Sequence, residues 1–196
     1  AISGEMGNPP QSTVIKSAFY NLVDAGLVIS ELAPLIGASK VTLVRLSDDA
    51  IDYCNSIGWP SVENDWRALI ERRNAGAYPQ YAAWVLQFAY HARMRGWGVE
   101  VAPDDKDRDC PADLILCRSF QTPVHVVGTT KMTLGALEAI AEEYPQLNMV
   151  VSRPQHLDHM RSMFKLGDFR GTMTDLESLI NQVRKGKLGN LWMETR

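Results

Sequence analysis

The stretch that most constrains the fold of this chain is residues 99–130, in which three short β-prone runs follow one another. The runs cover residues 99–102, 111–117 and 123–128, and they are separated by the acidic loop at 104–109 and by turn-forming residues. Short β-prone runs with turn residues between them are typical of neighbouring strands. The stretch therefore predicts three adjacent strands at the centre of a sheet.

Helical and apolar patterns on both sides of this stretch complete an α/β arrangement. A helix is predicted before it, over residues 80–95, and helices alternate with strands after it. The elements predicted after it are a helix at 132–144, a strand at 147–152, a helix at 155–164, a strand at 169–173 and a helix at 176–184 capped by Thr174 and Asp175. This αβββαβαβα order predicts a mixed-sheet α/β sandwich. Residues 185–196 are predicted to form a loosely held, mildly basic tail.

The first third of the chain carries helix and strand signals of its own. Apolar residues at four-residue spacing predict a helix over residues 13–25, which is capped by Ser12 or Thr13 and ends at Gly26. The signals that follow are an extended segment at 27–29, a β-rich strand at 40–46 and a helix at 50–57 capped by Ser47, Asp48 and Asp49.

This first third resembles the winged helix-turn-helix family of bacterial DNA-binding domains. The resemblance rests on matching residues at 12–14, 22–28 and 44–50. It implies that residues 1–58 form a winged-helix-like segment, with a recognition helix and a wing, whose first helix is truncated as if the chain had been trimmed. Side chains of this kind contact phosphates and base edges in DNA complexes. The residues that the resemblance places at DNA are Gln11, Ser12, Thr13, Lys16, Ser17, Tyr20 and, on the wing, Lys40.

The charge of this segment bears directly on DNA binding. Residues 1–55 carry three basic and six acidic side chains, so the whole net charge of −3 falls within them. Phosphate neutralisation by basic groups dominates DNA affinity, and three basic residues predict weak binding. Two interpretations follow: the segment contacts DNA, or it is an interaction or dimerisation module with a solvated polar face.

The order of elements around the central strands, with Asp113 heading the second of them, resembles the restriction-endonuclease-like fold of the PD-(D/E)xK nuclease superfamily. In that superfamily the aspartate and a carboxylate on the next strand bind Mg²⁺, and a lysine two residues after that carboxylate activates water together with the metal. Here the glutamate position falls on His125 and the lysine position on Val127, with Lys131 four residues later. A histidine is a poor Mg²⁺ ligand and a valine cannot orient water. The resemblance thus implies a degenerate domain over residues 80–196, in which no catalytic or metal-binding residue is assigned and Asp113, His125 and Lys131 are vestigial.

The remaining sequence signals concern the linking segment and the compartment. Residues 59–79 are predicted to form a linking helix and loop. On the helix that follows, Arg93 and Arg95 make a small basic spot that either meets phosphate or interacts with the helix dipole. The three cysteines lack metal-site spacing, which favours a reduced, cytoplasmic setting. No signal peptide and no apolar run long enough for a bilayer are found.

A winged helix joined to a nuclease-like domain resembles proteins of bacterial mobile elements, including plasmid replication-relaxation proteins. This resemblance implies a DNA-associated protein of a mobile element, a transposition system or a defence system, in which the nuclease-like domain is a scaffold without a cofactor. Two alternatives stay open. One is an active Mg²⁺-dependent nuclease with displaced ligands around Asp113, and the other is a protein–protein adaptor without direct DNA contact. The expected partners are duplex DNA and other proteins or a second copy of the chain, and no membrane.

Overall fold

A computed structural model of the chain describes residues 13–33, 41–59, 65–72, 79–104, 111–129 and 132–195. The chain forms two compact units. Among the described residues, 13–32 and 42–59 belong to the first unit, and those from Asp65 onward belong to the second. Both units contain helices and strands, which confirms the prediction of a mixed α/β protein.

The first unit is a helix, a two-stranded sheet and a second helix. Its elements are α1 (Thr13–Asp24), β1 (Val28–Ala33), β2 (Val41–Leu46) and α2 (Asp48–Ser56). Gly26 has a φ of 71°, a left-handed conformation that suits glycine and turns the chain out of α1. Ser47 caps α2 as expected, because its hydroxyl oxygen accepts from the Ala50 N–H at 3.1 Å. Val28, Ala50 and Cys54 are the buried apolar side chains described in this unit.

The second unit is built on a six-stranded sheet. Its elements are α3 (Asp65–Arg72), α4 (Pro79–Met94), β3 (Gly98–Val101), β4 (Leu114–Cys117), β5 (Val124–Thr129), α5 (Leu134–Glu143), β6 (Leu147–Val151), α6 (Pro154–Leu166), β7 (Gly171–Asp175), α7 (Leu176–Arg184) and β8 (Glu194–Thr195). The strands lie in chain order across the sheet. The pairs β3–β4, β4–β5 and β7–β8 are antiparallel, whereas β5–β6 and β6–β7 are parallel. The three strands predicted from residues 99–130 are therefore adjacent as expected, but β3 lies at the edge of the sheet, so the prediction that all three are central is wrong for β3.

Helices cover both faces of this sheet. On one face, α3, α4 and α7 pack on the strands, with Trp84 of α4 and Leu114 of β4 among the fully buried side chains. On the other face, α5 and α6 bring Leu137 and Phe164 against Met149 of β6. All five residues of β6 are buried, which is typical of a parallel strand with both faces covered.

The helix of the predicted linking segment packs within the second unit. Leu69 of α3 is fully buried in the same core as α4. A guanidinium nitrogen of Arg93 on α4 lies 2.9 Å from the Asp65 carboxylate at the start of α3. The structure thus places α3 in the helical layer of the α/β unit.

The prediction of a loosely held tail is wrong for residues 185–195. Leu191 is buried, and the Trp192 ring lies 5.8 Å from the ring of Phe88, measured between centroids. Glu194 then pairs with Met173 of β7 in the sheet and forms an ion pair with Arg161. This mildly basic segment was predicted to be loosely held, but the side chains of Leu191 and Trp192 pack it against the second unit.

Candidate functional site

Asp113 lies immediately before β4, at the position that the nuclease resemblance singles out. Its carboxylate Oδ2 accepts a hydrogen bond from the Gly128 backbone N–H at 2.7 Å. Its own N–H donates to the Val126 carbonyl at 2.9 Å, and its carbonyl accepts from the Ala102 N–H at 2.7 Å. The side chain is only 4% exposed. The hydrogen bonds of Asp113 therefore join the ends of β3, β4 and β5. Its carboxylate accepts from a β5 N–H that lies beyond the last residue pair of the β4–β5 ladder.

Gly128, which has no side chain, leaves room for the Asp113 carboxylate and for Trp84 of α4. A Cβ atom built on Gly128 would lie 2.6 Å from Cη2 of Trp84 and 3.4 Å from Asp113 Oδ2. The Tyr81 hydroxyl lies 3.5 Å from the Gly128 carbonyl oxygen. A glycine at this position allows the indole and the carboxylate to approach the β5 backbone closely.

The structure does not bring His125 to the Asp113 carboxylate. His125 pairs with Ile115 in the sheet register, and its ring lies 5.0 Å from the ring of Tyr144 at the end of α5. The Asp113 carboxylate instead lies beside Gly128, on the face covered by α4. Because successive side chains of a strand point to opposite faces, His125 and the α4 face are on opposite sides of β5. Lys131 lies outside the described residues.

The Mg²⁺ site that the nuclease resemblance implies would need oxygen ligands besides the Asp113 carboxylate. Among the residues that the structure describes, no group of three His, Cys, Asp or Glu side chains is placed to bind a metal ion together. Mg²⁺ requires several hard oxygen ligands, whereas the described partner of Asp113 Oδ2 is a backbone N–H donor.

Replacing Asp113 with alanine should lower the free energy of unfolding by roughly 1–3 kcal/mol, because a buried N–H at Gly128 loses its acceptor. Asp113→Asn keeps one carbonyl oxygen and nearly the same volume, so we expect a smaller loss. Urea unfolding followed by circular dichroism measures both values. Glu138→Ala, which removes an exposed carboxylate from α5, is the control and should leave the midpoint unchanged. Unaltered stability of Asp113→Ala, together with loss of a Mg²⁺-dependent cleavage activity, would favour the nuclease alternative.

Polar side chains lie at the carboxyl ends of the parallel strands, and two of them, Ser152 and His156, were not predicted from the sequence. Ser152, directly after β6, has its hydroxyl oxygen 2.9 Å from Nδ1 of His156 in the first turn of α6. Ser152 is only 1% exposed, so this pair stabilises the turn between strand and helix rather than facing solvent. Asp175, at the end of β7, accepts from the Ser178 N–H at 2.8 Å and caps α7 as predicted, whereas Thr174, which was predicted to cap with it, is buried within β7. The spacing of Ser152 and His156 is the sequence signal that could have found the pair.

The described DNA-binding candidates lie on the surface of α1. Lys16, Ser17 and Tyr20 are exposed, and Tyr20 shows 62% of its surface. The structure describes Thr13 as the first residue of α1. Gln11, Ser12 and Lys40 lie outside the described residues, so the structure places three of the seven candidate side chains on one exposed helix.

The two arginines of the basic spot at the end of α4 form their contacts within the α/β unit. Arg93 pairs with Asp65, as described above. Arg95 donates to the Gly189 carbonyl at 2.8 Å, to Gln182 Oε1 at 3.1 Å and to the His91 carbonyl at 2.9 Å. Burial, with a further contribution from the positive charge of Arg95, lowers the pKa of His91 from 6.5 to about 4. These arginines connect elements of the fold.

Comparison with family models, curated proteins and solved structures finds no match to this chain. No helix in the described part of the chain is both long enough and apolar enough to span a membrane.

Proposed function

We propose that this chain is a cytoplasmic, DNA-associated protein of a bacterial mobile element, transposition system or defence system. In this proposal the exposed face of α1 contacts duplex DNA, and the α/β unit is a scaffold that does not cut DNA. The observation that carries the proposal is the exposure of Lys16, Ser17 and Tyr20 on a helix that precedes a two-stranded sheet and a second helix.

The three exposed side chains suit contact with a phosphate backbone. Positions 16, 17 and 20 fall within about one turn of a helix, so they share one side of α1. A lysine neutralises a phosphate, and serine and tyrosine hydroxyls donate to phosphate oxygens. The affinity should be low, because α2 begins with the exposed carboxylates Asp48 and Asp49.

The scaffold part of the proposal rests on the surroundings of Asp113. Its carboxylate accepts from a β5 backbone N–H and is nearly inaccessible to solvent. His125 packs toward Tyr144 on the other face. These contacts give both residues a role in the fold that needs no metal ion.

Lys16→Ala should weaken duplex binding several-fold and lower the slope of log affinity against log salt by about one, because one phosphate contact is lost. The measurement is fluorescence anisotropy with a labelled duplex at about 50 mM salt, where weak electrostatic binding is still detectable. Lys165→Ala removes an exposed lysine from α6 and serves as the matched control. The proposal fails if the wild-type chain does not bind at this salt concentration, or if both variants bind equally well.

A protein–protein adaptor is the second candidate function, and α2 carries the observation that favours it. Tyr53 is 61% exposed, Ile57 one turn later is 47% exposed, and Trp59 is 61% exposed. Exposed apolar side chains that lie close together are typical of protein interaction sites. Sedimentation velocity of Tyr53→Ser and Ile57→Ser tests this function: a wild-type dimer that both variants convert to a monomer would favour it over DNA contact by α1.

A further inference from the structure

The turn between β4 and β5 presents the most exposed large apolar side chain in the described part of the chain. Phe120 has a relative exposure of 109% and a φ of 63°, in the left-handed region that residues other than glycine rarely adopt. The Gln121 N–H donates to the Arg118 carbonyl at 3.0 Å and closes the turn. The phenyl ring therefore projects into solvent from a hydrogen-bonded turn.

Arg118 fixes this turn to the helices beside it. Its guanidinium lies over the Trp97 ring, 4.7 Å from the centroid, and donates to the Arg95 carbonyl. Arg95 donates in turn to the Gly189 carbonyl and to Gln182 near the end of α7. Through these contacts Arg95 links the turn to the end of α7 and to the segment that follows it.

This region, which is made of the turn, the end of α7 and the segment after it, is rich in positive charge. Its exposed cations are Arg118, Arg184, Lys185 and Lys187. Among the residues that the structure describes, the ion pairs are Arg67–Glu71, Arg93–Asp65, Arg161–Asp158 and Arg161–Glu194, so none of these four cations takes part. We call Phe120 together with these four cations the Phe120 surface.

We propose that the Phe120 surface binds single-stranded nucleic acid. The arginine and lysine side chains contact the backbone phosphates, and the Phe120 ring stacks on an unpaired base. Proteins that bind single strands combine a positively charged track with exposed aromatic rings, because every base offers a face for stacking. The Phe120 surface belongs to the α/β unit, so the inference is independent of DNA contact by α1.

The neighbours of Phe120 favour a nucleic acid over a lipid surface. Ser119, Gln121 and Thr122 are polar and exposed. Insertion at a membrane interface requires a broad apolar area, and even one myristoyl chain gives only marginal, reversible binding. One phenyl ring among polar residues falls short of that area, whereas one ring is sufficient to stack on a base.

The test measures binding of the full chain to a fluorescein-labelled thymidine oligonucleotide of about 20 nucleotides, longer than the ~4–16-nucleotide site of a typical single-strand-binding module. Phe120→Ala should weaken binding about 10-fold, and Phe120→Trp should retain it because the indole also stacks. Lys187→Ala should lower the salt slope by about 0.7, the value for one single-strand phosphate contact. Lys165→Ala, on α6, should have no effect, and the Lys16→Ala variant of α1 should bind the oligonucleotide as the wild type does.

Four results would overturn the inference. They are no oligonucleotide binding at about 50 mM salt, equal binding by the wild type and Phe120→Ala, Phe120-dependent binding to phosphatidylserine vesicles with none to the oligonucleotide, and a dimer that Phe120→Ala dissociates with no binding to the oligonucleotide. Loss of duplex binding in Lys16→Ala with oligonucleotide binding intact would separate the two proposals.

Discussion

Replacing Gly171 with alanine should destabilise the α/β unit by about 4 kcal/mol or more, in the range of the most severe single substitutions. A Cβ atom at Gly171 would lie 1.8 Å from the Leu147 carbonyl oxygen and 2.6 Å from the Leu147 carbonyl carbon. The φ of 154° at Gly171 is also one that L side chains rarely adopt. Both contacts are with backbone atoms, so no rotamer change relieves them, and the two strands must separate.

The pairing of β6 with β7 explains why separating these two strands would lower the stability so strongly. Gly171 pairs with Leu147 at the start of the parallel β6–β7 ladder, and the Leu147 N–H donates to the Arg170 carbonyl at 2.9 Å. Met149 and Met173, further along the two strands, are fully buried in the core under α5 and α6. Displacing the start of either strand therefore disturbs both the ladder and this core.

Urea unfolding compares Gly171→Ala with Gly135→Ala, a matched glycine replacement in α5. A Cβ atom at Gly135 meets no atom within 4 Å, so this control should be unchanged or more stable by up to about 1 kcal/mol, as expected for alanine in a helix. If the loss exceeds the total stability of the unit, Gly171→Ala will not accumulate as folded protein, and soluble yield reports the effect. A Gly171→Ala midpoint equal to that of the wild type would contradict the prediction.

Local signals were sufficient to predict most of the elements of this chain. The alternation of helix and strand after residue 130 depends on apolar periodicity and on capping residues, both of which act within a few positions. Asp175 caps α7 and Ser47 caps α2 as their sequence contexts indicated. The adjacency of β3, β4 and β5 could be predicted because strands that follow one another in the chain usually lie side by side.

Contacts between distant parts of the chain could not be predicted in the same way. Asp113 was singled out as a possible ligand, and its contact with the Gly128 N–H depends on where the β4 ladder ends. Arg95 has a favourable position for the helix dipole, but its partners Gln182 and Gly189 come from the end of the chain. Trp192 packs on Phe88 although polar residues and glycines precede it. Each of these contacts depends on tertiary packing, which the periodicity of the sequence does not reveal.

When the pH decreases from 7 to about 4.5, the titration of His91 alone should lower the free energy of unfolding of the α/β unit by about 2–3 kcal/mol. His91 is 3% exposed, and its pKa in the folded protein is lowered from 6.5 to about 4 by burial and by Arg95. Between these two values the unfolded chain binds a proton that the folded chain does not. The contribution of His91 to stability is therefore fully present above pH 6.5 and is lost as the pH falls toward 4.

Free energies of unfolding in urea at pH 7 and at about pH 4.5 measure this loss, and His91→Leu isolates it from the titration of carboxylates. The leucine fills a similar volume and cannot be protonated, so the difference between the two pH values should shrink by about 2–3 kcal/mol relative to the wild type. Gly135→Ala, at an exposed position on α5 that carries no titratable group, should keep the wild-type difference. Equal pH dependence in the wild type and His91→Leu would show that His91 is protonated in the folded protein as readily as in the unfolded chain. Arg95 contacts His91 and also joins α4 to Gln182 and Gly189. A smaller pH dependence in Arg95→Met than in the wild type would show that the charge of Arg95 contributes to the low pKa of His91.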